Sequence, residues 1–246
     1  MLLAALSFSL SAQGQPTTNE LFATRAASAF ALAKTAWAAH PEDASAACHL
    51  GQTSYDWSLF ATNAEQRAAV AQTGIAACRQ WVANHPQSAP GHYYLAMDYG
   101  ELAEAEAPSL AAYKLIREIE HEFKIANELS NRLDYAGPPR CLGLLYRDAP
   151  GWPVSIGNRH KAREYLEQAA ALAPDFPENQ LNLVESHIHW HQAADAEKAW
   201  HKLTAIWPAA RTNLTGVDWE VSWDDWTSRR AAVKADYQKT FKKALP

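Results

Sequence analysis

The chain has 246 residues, a formal net charge of −5 and 48% hydrophobic residues, with only 10 glycines. With no dense Lys/Arg stretch it lacks the basic face of a nucleic-acid binder, so no nucleic-acid partner is expected. Abundant alanine and scarce glycine favour helices, and the lack of period-two Val/Ile/Thr runs argues against a sheet, so the class is all-α.

The chain opens on a short apolar run, Leu2 to Leu10, followed by Ser11-Ala12-Gln13-Gly14-Gln15-Pro16. It is too short to span a bilayer as a helix. It has the apolar core and small-residue cleavage region of a secretory signal, without a basic n-region. Residues 1–16 are therefore read as a signal segment, giving a periplasmic or secreted protein. The alternative is an apolar helix start in a cytoplasmic one.

Residues 17–216 carry a repeat of about five helical hairpins. Three odd cysteines, Cys48, Cys78 and Cys141, form no framework. They read as small buried side chains, with a Cys48–Cys78 bridge across one hairpin as the alternative. Leu50-Gly51 after Pro41, Leu95-Ala96 with Tyr99 after Pro86, and Leu142-Gly143 with Tyr146 share one pattern. A small residue lets two helices approach, and an aromatic fills the gap beyond. The partner helices end in Ala29, Ala33, Ala36, then Pro41, and in Gly74, Cys78, Trp81, then Pro86. A long helix beginning near Pro108 places Phe123 and Ala126 in an irregular unit. Ala162, Leu166, Ala169 and Pro174 recur as Ala196, Trp200, Leu203 and Pro208 with a shift of 34 residues. Alanine is followed at +4 and +7 on one helical face, with proline expected just after the helix ends. That shift is the tetratricopeptide period.

Between Tyr146 and Ala162 the chain is longer than a regular repeat, through Asp148-Ala149-Pro150-Gly151-Trp152-Pro153. This punctuated stretch predicts an inserted loop. Trp152 either plugs a gap between hairpins or, with Arg140, Tyr146, Arg147 and Asp148, forms a ligand or partner surface. His187 and His191 stand at i and i+4, the spacing of two imidazoles on one ion. Glu185 or His201 would have to complete the site, and solvated helix-end histidines are the simpler reading. Residues 217–246 place Trp219, Trp223, Trp226, Val233, Tyr237 and Phe241 on one face. This is a capping helix region over the last repeat or an aromatic docking surface. No Gly-x-Ser-x-Gly, phosphate-cradling glycine loop or His-Glu-x-x-His occurs. No catalytic residue or cofactor is assigned, and a binding or scaffold role is expected.

The segment Gly137-Pro138-Pro139-Arg140, Leu142 to Tyr146, Ala149 to Pro153 and Ser155-Ile156-Gly157 resembles the T-component (TatT-like) family of TRAP transporters, within the tetratricopeptide superfamily. The similarity continues through Lys161-Ala162-Arg163, Leu166 to Ala169, Ala173-Pro174 and Asn179 to Leu183. It implies a tetratricopeptide-like helical-hairpin solenoid in the periplasm, cooperating with a solute-binding subunit in uptake of small organic acids or apolar ligands. Arg140 and Trp152 are the positions it favours for binding. Family members often carry a lipid-bearing cysteine just after the signal; here the first cysteine is Cys48. A generic protein-interaction scaffold is the alternative, and a homo-oligomer is compatible with either.

Overall fold

A computed structural model describes residues 18–246, so the expected signal segment lies outside it. Ten α-helices follow one another among the described residues: α1 Thr18–Ala39, α2 Ala44–Ser58, α3 Ala64–Asn84, α4 Ala89–Glu106, α5 Leu110–Leu129, α6 Leu133–Asp148, α7 Arg159–Leu172, α8 Pro177–His189, α9 Ala193–Asn213 and α10 Glu220–Phe241. Short polar residues start several of them. Asp43, Asn63, Ser88, Ser109 and Asn158 each accept a hydrogen bond from a first-turn backbone N–H. That satisfies donors which the helix itself leaves open.

The helices pack as an all-α solenoid of four complete hairpins, α2–α3, α4–α5, α6–α7 and α8–α9. The first helix precedes them and α10 closes the array against α8. Small residues mark the crossings, as expected. A Cβ on Gly143 would lie 2.6 Å from Leu166 Cγ, and one on Gly51 would lie 2.4 Å from Cys78 Sγ. Cys48, Cys78 and Cys141 are all free thiols, so no Cys48–Cys78 bridge links the first hairpin.

The echoed side chains Ala162, Leu166, Ala169, Ala196, Trp200 and Leu203 are all buried. The matching prolines behave differently. Pro174 follows the end of α7, whereas α9 runs through Pro208 to Asn213. Burial of Ala210, the edge-on contact of Trp207 with Trp223 and the Arg211 guanidinium over Trp223 hold the extra turn. Tertiary packing here outweighs the lost hydrogen bond.

The cap is built from Trp223, Trp226, Val233 and Tyr237, all buried on α10. Trp223 donates its indole N–H to the Leu214 carbonyl at 2.6 Å. From the other end of the chain, Arg25 on α1 reaches Glu220 at 2.7 Å.

Candidate functional site

All twelve buried polar or charged side chains among the described residues lie on α2, α4, α6 and α8. On the intervening helices α3, α5, α7 and α9 the fully buried residues are apolar, with Gly74 and Cys78 among them. Polar groups are costly to bury without partners, so their concentration on one set of helices marks that set as the chemically specialised one. Charges carried by these helices also face each other across the array. Asp134 acts on Asp56 of α2, and Glu178 of α8 acts on Tyr55 of α2. Burial, then Asp134, pushes the Asp56 carboxyl up to about 6.

The most unusual backbone stands at the start of α6. Asp134 (φ 47°), Tyr135 (φ 52°) and Ala136 (φ 65°) are three consecutive left-handed residues, none of them glycine. Each costs about 1–2 kcal/mol relative to a right-handed conformation. Regular helix begins only at Gly137, so Pro138 and Pro139 occupy its first turn, where a missing N–H does no harm.

Buried Arg140 holds the turn. It donates to the Asp134 and Tyr135 carbonyls, both at 3.2 Å, and to Asp134 Oδ2 at 2.8 Å. Asn179, at the start of α8, donates to the Tyr135 carbonyl at 2.9 Å and accepts from Arg140 at 3.3 Å. Tyr93 of α4 donates its hydroxyl to Asp134 Oδ2 at 2.7 Å. Burial opposes the Arg140 charge, but Glu178, Tyr93 and Asp134 together raise its pKa above the ordinary arginine value.

The clamp displays Tyr135, which remains 44% exposed. Its ring stacks on Phe176 with centroids 4.5 Å apart and an interplanar angle of 8°. Trp219 stands edge-on to it at 5.6 Å. Tyr135 and half-buried Trp219 thus form an aromatic corner at the N-terminal ends of α6, α8 and α10. Beside it Arg229 of α10 binds Glu185 through two hydrogen bonds, at 2.9 and 2.8 Å, and Asp225 at 3.1 Å.

The residues singled out in the sequence do not form one surface. Arg140 and Tyr146 are both buried. Tyr146 donates its hydroxyl to Glu120 and stacks on Tyr165. Arg147 is half-buried, paired with Asp148 at 2.7 and 2.8 Å and donating to Ser186 at 3.1 Å. Trp152 lies beyond the far end of α6 and is 89% exposed, so it plugs no gap. Its loop, 149–158, is closed by hydrogen bonds from Gly157 N to the Pro150 carbonyl and from Asn158 N to the Tyr146 carbonyl, both 2.9 Å. A Cβ on Gly157 would fall 2.0 Å from the Ala149 carbonyl oxygen, so the neck needs glycine.

The histidine pair is not a helical pair. Helix α8 ends at His189, and His191 beyond it is left-handed with φ 57°. His187 is buried against Gln192, 3.2 Å away, and burial lowers its pKa. No group of three potential metal ligands occurs among the described residues.

Sequence reasoning missed Tyr135, Asn179, Tyr93 and Asp134. The Gly137-Pro138-Pro139-Arg140 motif pointed at their location without revealing the turn. A groove of about 800 Å³ also opens between α1 and the α9–α10 junction, lined by Leu21, Phe22, Arg25, Leu214, Val217 and Trp223.

No family model matches the chain, and no curated protein matches it in sequence. Among solved structures, it is similar to a thermophilic TPR protein from Thermus thermophilus, with a TM-score of 0.61 and 20% identity. The similarity covers 85% of this chain and 91% of that one. The fold is therefore tetratricopeptide-like.

Proposed function

We propose that the protein is a non-enzymatic binding scaffold that engages a protein partner at the Tyr135–Trp219 corner. The carrying observation is the left-handed turn 134–136. Three strained residues are held by a buried arginine, an asparagine and a tyrosine from three helices, and the result is one displayed aromatic ring. Strain that the surroundings over-determine is characteristic of functional positions. Tyrosine and tryptophan are residue types that dominate binding energy at protein interfaces, and here an exposed Tyr135 stands against a half-buried Trp219. The tetratricopeptide-like fold supports a scaffold role in general terms.

A finer reading makes the partner a solute-binding subunit of a TRAP-type uptake system in the periplasm. It is supported by the resemblance over 137–183, in which Arg140 holds the turn. The test is quantitative affinity capture from source extracts with the intact chain and with Tyr135→Ala, read by mass spectrometry. A specific partner should be recovered about tenfold less with the variant, the loss of one interface anchor. Equal recovery would remove the corner from the interface. A solute-binding protein among the Tyr135-dependent partners would support the finer reading, and its absence would leave the general scaffold.

A further inference from the structure

The 149–158 loop stands apart from the corner and has a chemistry of its own. Trp152 is 89% and Val154 65% exposed, two positions apart in a loop whose neck is fixed by backbone hydrogen bonds. Ile156 turns inward and packs on the core. Loop tips are normally polar, so two large apolar side chains in water call for an environment that accepts them.

The charge around the tip is as unusual as its hydrophobicity. From Ala149 to Arg163 there is no acidic residue, in a chain whose net charge is −5. Arg159, His160 and Lys161 are exposed in the first turn of α7. The helix dipole favours acids at that position and disfavours cations, so local helix energetics do not explain them. Arg159 donates to the Trp190 carbonyl and lies over that ring; Lys161 lies over Tyr146. Both side chains lean onto rings of the solenoid while staying exposed, and Glu120 lies within electrostatic reach of Lys161. The flanking acid Asp148 is already bound by Arg147, and Glu164 follows the stretch.

We propose that this loop docks the protein on an anionic bilayer surface, with Trp152 and Val154 entering the headgroup layer and Arg159, His160 and Lys161 meeting lipid phosphates. Tryptophan favours the membrane–water boundary. Each lysine or arginine near an anionic surface multiplies affinity about fivefold. A stable protein interface needs roughly 800 Å² per partner, more than two side chains at a narrow tip supply, whereas a bilayer accepts a small insertion. None of the described helices is long and apolar enough to cross a membrane, so the contact is with its surface.

The experiment is co-sedimentation of the full chain with vesicles of phosphatidylcholine, with and without about 30% phosphatidylglycerol, at low and high salt. Binding should require the anionic lipid, weaken with salt and fall about tenfold in Trp152→Ala and about fivefold or more in Lys161→Glu. Far-ultraviolet circular dichroism should be unchanged in both, since both side chains are exposed. Equal binding to neutral vesicles, no binding to either, or wild-type binding by folded Trp152→Ala would overturn the proposal. So would a protein partner whose capture depends on Trp152 while vesicles are ignored.

Discussion

The two segments that bracket α6 are opposites. Before the helix, the chain takes a costly backbone path and buries the groups that hold it: Arg140, Asn179 and Tyr93 all point into the turn 134–136. After the helix, the loop 149–158 is closed by its own backbone hydrogen bonds and leaves Trp152 in solvent. The first is a structure held by a buried arginine of the same helix and by two other helices, α4 and α8. The second is nearly self-contained. The comparison teaches that an exposed aromatic can be displayed either by long-range clamping or by local closure, and that mutations should separate the two.

Arg140→Ala should separate them most. It leaves Asp134 and the carbonyls of Asp134 and Tyr135 without their cation, in a site where Arg140 is 5% exposed, while Glu178 keeps Arg229 at 3.9 Å. Breaking a fully buried ion pair from one side costs about 3–5 kcal/mol, but the Asp134 side chain is 40% exposed, so the lost hydrogen bonds and charge should cost about 2–3 kcal/mol. Urea denaturation of the variant should show a loss in that range, while Trp152→Ala should stay within about 0.5 kcal/mol of the wild type. A loss below about 1 kcal/mol for Arg140→Ala would mean that the turn is held by something else.

A smaller effect tests the charge that faces the turn across the array. Burial and Asp134 raise the Asp56 carboxyl from 3.8 to about 6. The folded state therefore binds that proton more tightly than the unfolded chain does. Its contribution to stability is fully present below the unfolded value and is lost as pH rises through 6. Asp56→Asn should then stabilise the protein by about 1–2 kcal/mol at pH 7–8, with the gain fading below about pH 4. A gain independent of pH would show that the effect is not ionisation, and no gain would place Asp56 in water. Capture of the partner by this variant would also show whether the carboxylate belongs to the corner.

How far these features could be read from the residues follows from where their causes lie. The hairpin array was legible because its determinants are local: a small residue at a crossing, an aromatic three positions on, an alanine at fixed offsets. Pro174 ends its helix by the same local rule. Pro208 does not, because Trp207 and Arg211 find Trp223 on α10, a partner that no nearby residue announces. His187 and His191 fail as a pair for a related reason, since the helix stops between them. The inserted loop was visible from its prolines and glycines, yet the exposure of Trp152 was not, because sequence gives its position and not its direction. The left-handed turn was the least legible. Asp, Tyr and Ala carry no signature for positive φ, and the groups that stabilise it, Tyr93 and Asn179, lie 41 and 44 residues away from the residues they bind.

The strain in that turn can be measured directly at Ala136. Its side chain is fully buried and its φ is 65°, a conformation that glycine adopts freely. Ala136→Gly relieves about 1–2 kcal/mol of backbone strain. Against this stand the buried methyl, about 0.8 kcal/mol, and the greater freedom of glycine in the unfolded chain, about 0.4–1 kcal/mol. These terms nearly cancel, and the variant should unfold within about 0.5 kcal/mol of the wild type. Ala126 is equally buried but lies in the regular helix α5. There Ala126→Gly relieves nothing, and propensity and burial together should cost about 2 kcal/mol. If the two substitutions cost the same, the backbone at 136 is not held left-handed in solution, and the clamp around Arg140 has no strained turn to hold. If Ala136→Gly is the milder by the expected margin, the difference is the strain itself, stored beside the one tyrosine that the turn displays.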